Sequence, residues 1–338
     1  MIHEVTKEAE PPLLEVDGLE VDFFTRRGVV QAVRNVSFSM ERGETVAVVG
    51  ESGSGKSVTA KAIMGLVELP GRVTGGDVRW KGRSFAGRKG GRHGRSIRGK
   101  AISIIFQDPM TSLNPLLTVG TQLTEGLRHD GMSRRASRER AIELLDLVGI
   151  ALPRKRMEQY PHEFSGGMNQ RVIIAMALAT EPELLIADEP TTALDVTIQA
   201  QILDLLARLQ EELSLAVLLI THDLGVVAGL CQRALVMYGG RIVESAPIDS
   251  LFASPGHPYV TGLLRSTPRL DVLRPSLESI PGSPPDMLVP PSGCAFHPRC
   301  PLAIEACEEL HPPLSPYPDD RKVACHRAFE RSDQSAAV

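Results

Sequence analysis

Apolar positions along the chain fall into short β-branched runs that alternate with longer stretches of helical period. Residues 13–24 and 29–40 alternate with period two over parts of their length and are parted by Arg26-Arg27-Gly28, which predicts two strands and a turn. Thr45–Val49 is a short β-branched run suited to a buried parallel strand, and residues 58–65 after it read as a helix. A hairpin is expected over residues 71–83 and a strand over 102–107, ended by Asp108-Pro109. From 111 to about 179 the pattern is helical; Ile142, Leu145 and Val148 recur at three-residue spacing and Gly149 closes that segment. Leu184-Leu-Ile-Ala187 and residues 215–220 are further buried strands, with a long amphipathic helix at 196–213 between them. Residues 234–238 and 241–244 flank Gly239-Gly240 as a hairpin. Strands alternating with helices imply a mostly parallel sheet with ligands at its carboxyl ends.

The segment Gly50-Glu-Ser-Gly-Ser-Gly-Lys56-Ser57 lies between such a strand and helix and fits G-x-x-x-x-G-K-[ST] at every fixed position. Gly50, Gly53 and Gly55, with Ser52 and Ser54 between them, let successive amides turn toward an anion at a helix N-terminus. Lys56 supplies a mobile charge for the β- and γ-phosphates and Ser57 a hydroxyl for Mg²⁺, so the expected ligand is a nucleoside triphosphate. Asp188-Glu189 follows the apolar run 184–187 directly. An aspartate at that tip can hold Mg²⁺, usually through water, and the glutamate beside it is placed to orient or deprotonate an attacking water. His222, in Thr221-His222-Asp223, follows the next buried run.

Composition narrows the class. At 338 residues the chain is long enough for one large core plus an appendage, or for two domains. A net charge of −4 gives no reason to expect nucleic acid, and one Trp, four Tyr and nine Phe supply few stacking platforms. No apolar run of about 18 residues is present to span a bilayer, and the polar, acidic first ten residues do not read as a secretory signal. A cytosolic chain with reduced thiols is expected. The Gly- and Arg-rich stretch 87–100 reads as a solvated basic loop.

From about residue 249 prolines multiply, periodic runs fade, and four of the five cysteines appear: Cys294, Cys300, Cys307 and Cys325. Clustered thiols in a reducing compartment point to metal rather than disulfides. Their spacing is neither C-x₂-C nor either common ferredoxin pattern, which leaves an Fe–S cluster, Zn²⁺ and free thiols all open. His297, His311 and His326 are expected at the surface, and Cys231, in an apolar helical context, in the core.

Phe164-Ser-Gly-Gly-Met-Asn-Gln-Arg171 resembles the signature sequence of ABC-type ATPases. Its physics is again a glycine turn at a helix start, with Ser165, Gly166 and Gly167 forming an anion site aimed outward. One chain cannot close both glycine sites on one nucleotide. The resemblance implies that two ATPase subunits pack head to tail, each lending its signature to the other's γ-phosphate. In the same terms Gln107 resembles the Q-loop glutamine, Asp195 the D-loop residue, His222 the switch histidine, and Phe23 the aromatic that stacks on adenine.

Residues 107–115, 186–196 and 221–227, with 257–264 and 280–285, make the chain most similar to the D-type ATP-binding subunit of oligopeptide/dipeptide (peptide/nickel) importers. That resemblance implies a P-loop ABC ATPase with a RecA-like parallel sheet and an antiparallel β subdomain over 1–107 and 181–248. It further implies an α-helical subdomain over 108–180 and an irregular Cys-rich extension over 249–338. ATP, Mg²⁺ and a [4Fe–4S] cluster, with Zn²⁺ as the alternative, are the implied cofactors. The implied partners are a second ABC ATPase subunit, a paralogue, two membrane permease subunits and an extracytoplasmic solute-binding protein, at the cytoplasmic face of the membrane. Alternatives of the same resemblance are a nickel chelate or another small solute as cargo, or a non-transport ABC ATPase.

Overall fold

The structure, a computed structural model, describes residues 10–87, 94–107, 112–192, 194–266 and 279–328. The expected strand stop at Asp108-Pro109 and residues 88–93 of the basic stretch 87–100 lie outside the described residues.

Strands β1 (Leu14–Thr25), β2 (Gly28–Met40), β3 (Thr45–Val49), β4 (Gly71–Trp80), β5 (Arg83–Gly87), β6 (Ile102–Ile105), β7 (Leu184–Asp188), β8 (Ala216–Thr221), β9 (Arg233–Tyr238), β10 (Arg241–Pro247), β11 (Ser315–Tyr317) and β12 (Arg321–Val323) form two sheets. One is antiparallel, in the order β2-β1-β4-β5. The other runs β11-β12-β10-β9-β3-β8-β7-β6; its five strands from β9 to β6 are parallel. Strands β10, β12 and β11 are added antiparallel at its edge.

Strands β3, β7 and β8 are buried at every position, as expected for strands covered on both faces. Because successive side chains point to opposite faces, Val46 and Val48 pack toward the antiparallel sheet and the helix Lys56–Ile63, while Ala47 and Val49 face the other side. That second face is covered by the helices Gly166–Leu178 and Val196–Leu213, and its core continues into Val119–His129, Arg134–Leu147 and the tail. The helix expected over 141–148 begins earlier, at Arg134, because Ser133 caps it by accepting from the Ala136 amide. Cys231 follows the helix Leu224–Leu230 and is buried, which pushes its thiol up to about 12.

Within the described part of the basic stretch two side chains have partners. Lys100 pairs with Asp130 at 2.8 Å, holding that carboxyl below its ordinary range, and the Arg98 guanidinium packs on Gly65.

The tail, expected to be irregular, is tied to the sheet. Glu244 on β10 pairs with Val323 of β12 and is fully buried; its carboxylate accepts from the Gly256 amide (2.9 Å) and the His257 amide (2.7 Å). Backbone donors satisfied by one buried carboxylate fix where the chain leaves the larger sheet. Glu244→Ala leaves those donors without that acceptor and is expected to cost about 2–3 kcal/mol, read as a lowered melting temperature with the secondary-structure signal at low temperature unchanged.

Candidate nucleotide and thiol sites

The phosphate loop joins β3 to the helix Lys56–Ile63, and Gly55 caps that helix in a left-handed conformation, φ 102°. A Cβ there would strike the Ala32 carbonyl, so only glycine closes this turn. Lys56 is buried and its Nζ donates to the carbonyls of Gly50 (2.8 Å) and Glu51 (3.0 Å). Burial pulls its pKa down, against the opposing pull of Glu189, Asp188 and Glu51. The ammonium is held within the loop by the loop's own carbonyls.

Ser57 Oγ donates to Asp188 Oδ1 at 2.8 Å. A hydroxyl and a carboxylate meeting at the ends of adjoining elements are the hard oxygen donors that Mg²⁺ takes. Burial raises the Asp188 pKa, with the Ser57 hydrogen bond opposing and Glu189 reinforcing the shift.

Glu189 is a hub. Its backbone is left-handed, φ 47°, an uncommon conformation for a residue with a side chain. Its Oε2 accepts from Gln107 Nε2 (2.9 Å) and Thr192 Oγ1 (2.8 Å), and its Oε1 lies 3.3 Å from His222 Nδ1. The fold thus gathers Gln107, Glu189 and His222 from the ends of β6, β7 and β8 around one carboxylate. Thr192 is a contact that the sequence reading did not single out.

Phe23 lines a cavity of about 220 Å³ with Ser57, Val58, Lys61, Val67, Glu68 and Leu69, beside the phosphate loop. Phe24 instead lies under the Arg72 guanidinium, at 5.6 Å.

Ser165 caps the helix Gly166–Leu178 by accepting from the Met168 amide, and Asp195 caps Val196–Leu213 by accepting from the Ile198 amide. A Cβ on Gly167 would lie 2.5 Å from Ile198 Cγ2, so the two helix starts are packed together by the absence of a side chain. Ser165, Gly166 and Asp195 are exposed. Among the described residues no hydrogen bond joins this pair of caps to Lys56, Ser57 or Glu189.

None of the five cysteines is joined in a disulfide. Cys294, Cys300, Cys307 and Cys325 line one small cavity of about 10 Å³, together with His257, Phe296, His297 and His326. The expected surface position of His297 and His326 therefore gives way to a place in this wall, where His297 Nδ1 meets the Cys294 carbonyl (3.0 Å) and His326 Nε2 the Leu310 carbonyl (2.9 Å). Burial pushes the Cys294 thiol up to about 11. Among the described residues no group of three or more His, Cys, Asp or Glu side chains is drawn together as a metal-holding set. A cavity this small, with one thiol in its neutral range, brings the four sulfurs into one place without forming a ligand shell; their donor chemistry suits a thiolate-bound centre, while their positions do not by themselves fix one.

The sequence reading also missed a link across the chain. Arg299 donates to both oxygens of Glu51, at 2.7 and 3.1 Å, and the Glu51 amide donates to Tyr259 Oη at 2.9 Å. Arg299 sits in the run Gly293-Cys-Ala-Phe-His-Pro-Arg-Cys300, which carries no hint of that partner.

The ABC transporter family profile matches residues 33–192, and the C-terminal region of oligopeptide/dipeptide transporters matches 243–307. The chain is 50% identical to the dipeptide transport ATP-binding protein DppD of Bacillus subtilis, over 96% of this chain and 97% of that protein. It is likewise 50% identical to the oligopeptide transport ATP-binding protein OppD of Salmonella typhimurium, over 97% of this chain and 98% of that protein. Among solved structures, the dimeric ATP-binding cassette MJ0796 in a post-hydrolysis state with ADP and Pi superposes with a TM-score of 0.62 at 29% identity, covering 70% of this chain and 98% of that one. The chain belongs to the ABC transporter family, among its oligopeptide/dipeptide ATP-binding subunits.

Proposed function

We propose that the chain is the ATP-hydrolysing subunit of an importer that carries dipeptides or oligopeptides inward, working at the cytoplasmic face of the membrane. One observation carries the chemistry: Glu189 is held at once by Gln107, Thr192 and His222, next to the Ser57–Asp188 pair. The peptide cargo is supported by the half-identity to DppD and OppD over nearly their whole lengths.

The loop amides and Lys56 take the triphosphate, with Phe23 against the adenine. Ser57 and Asp188 would hold Mg²⁺, which neutralises charge on the β- and γ-oxygens when bound. Glu189 orients the attacking water, Gln107 contacts that same carboxylate from the helical side, and His222 senses the γ-phosphate. Ser165, Gly166 and Asp195, which are exposed, and Gly167 beneath them serve the nucleotide of a second cassette, a paralogue of this chain. Residues 1–107 and 181–248 act as the catalytic core, 108–180 as the arm that meets the two permease subunits, and 249–338 as the tail. An extracytoplasmic binding protein delivers the solute. No helix among the described residues is long and apolar enough to cross a membrane, which leaves the crossing itself to the permease subunits.

The four thiols of the tail would hold a [4Fe–4S] cluster, pinning a sparse segment by covalent ligation. Their shared cavity supports the reading; Zn²⁺ is the competing occupant.

Glu189→Gln, in the assembled transporter with Mg-ATP, is expected to lower steady-state hydrolysis by about 100-fold or more while retaining bound ATP. Rapid turnover by that variant would remove Glu189 from its role. Cells lacking this chain should lose uptake of labelled di- and oligopeptides; undiminished peptide uptake with loss of another solute would reassign the cargo. Chain purified without oxygen should contain about four irons and four sulfides, and Cys300→Ser should lose them; stoichiometric zinc would replace the cluster assignment.

A further inference from the structure

The ion pair between Glu51 and Arg299 joins the second residue of the phosphate loop to the cysteine-bearing tail. Arg299 lies between Cys294 and Cys300, in the turn His297–Arg299. Its side chain is 6% exposed and that of Glu51 24%. Every face of the guanidinium is used. Beyond the two bonds to Glu51 it donates to Tyr238 Oη (3.1 Å), to the Pro281 carbonyl (2.8 Å) and to the Ile280 carbonyl (3.3 Å). The Tyr238 and Phe296 rings lie 5.8 and 6.0 Å from it. Those rings pack with Tyr259, whose hydroxyl takes the Glu51 amide.

Such a fork is geometrically fixed in a way no surface pair is. It also does something for charge. Glu51 is a carboxylate built into a loop whose amides and lysine must hold a polyanion, and the Lys56 ammonium is bonded to that residue's own carbonyl. Left unpaired, the carboxylate would repel the triphosphate and draw on Lys56.

We propose that Arg299 is a positioning residue for ATP binding: by neutralising and clamping Glu51 it lets the tail set the affinity of the phosphate loop. The proposal rests on the phosphate loop being the ATP site, and it holds whatever occupies the four thiols.

The test uses the full chain and a fluorescent ATP analogue titrated in the presence of Mg²⁺. Arg299→Gln should weaken binding about tenfold, whereas Arg299→Lys, which keeps the charge, should stay within about threefold of the natural chain. Adding Glu51→Gln to Arg299→Gln removes the exposed negative charge and should recover most of the lost affinity. A merely structural role predicts the opposite, because a second substitution in a damaged region does not repair it. In the assembled transporter the Arg299→Gln loss should fall on KM for ATP, with kcat within about twofold at saturating ATP. Tyr259→Phe, which deletes one hydroxyl from a packed ring, provides a variant that keeps the core and should weaken binding about two- to threefold. Equal affinity of Arg299→Gln and the natural chain, or a double variant weaker than the single one, overturns the proposal. Failure of the natural chain to bind the analogue overturns instead the reading of the phosphate loop as the ATP site.

Discussion

Parallel pairing of β3, β8 and β7 is the constraint from which the site follows. Val49 is in register with Thr221, and Asp188 with Ile220, so three buried strands end at nearly one level. Each end delivers one chemical group: the phosphate loop after β3, the Asp188-Glu189 pair at β7, His222 after β8. Burial on both faces makes that register hard to shift, because a one-residue slip would exchange the side chains packed on the helices with those packed on the antiparallel sheet. Rigidity of the strands is what lets short polar side chains meet across three different strand ends.

At the strand ends, charge is kept tense rather than relaxed. Lys56 is buried with its pKa pulled down, Asp188 is buried with its pKa pulled up, and Glu189 sits in left-handed backbone beside them. Lys56 and Asp188 are each more costly as isolated ions than they would be in water, and under the proposed function each would gain a partner of opposite charge from a triphosphate and Mg²⁺. The second glycine turn, around Ser165, does not join this cluster. It packs against the start of the helix Val196–Leu213, with Ser165 and Gly166 exposed. Under the proposed function the site is half of an arrangement whose other half is a second cassette.

Much of this was legible in the sequence because the motifs are local. A strand, a turn and a helix start within about ten residues dictate where Lys56, Ser57, Asp188, Glu189 and Ser165 sit relative to their own backbones. Their convergence was legible only through resemblance, since no periodicity says that Gln107 and His222 reach the same carboxylate. The tail was the least readable part. Its strands β11 and β12 are three residues each and lie among prolines, too short for a period-two signal, and they exist because β10 offers an edge. His297 and His326 look like surface residues by type, yet their neighbours in sequence are the cysteines whose cavity they line. Arg299 and Glu51 stand far apart in the chain, and an ion pair at that separation leaves no trace in a single sequence.

The most direct measurement of the central claim is the rate of ATP hydrolysis per chain as its companion cassette is titrated in, with the natural companion and with one whose own signature serine is replaced. The account predicts negligible turnover by the isolated monomeric chain, a rise that saturates at equal amounts of the two cassettes, and loss of turnover at this chain's phosphate loop when the companion's signature is disabled. Full turnover by the monomeric chain, indifferent to the companion, would contradict it.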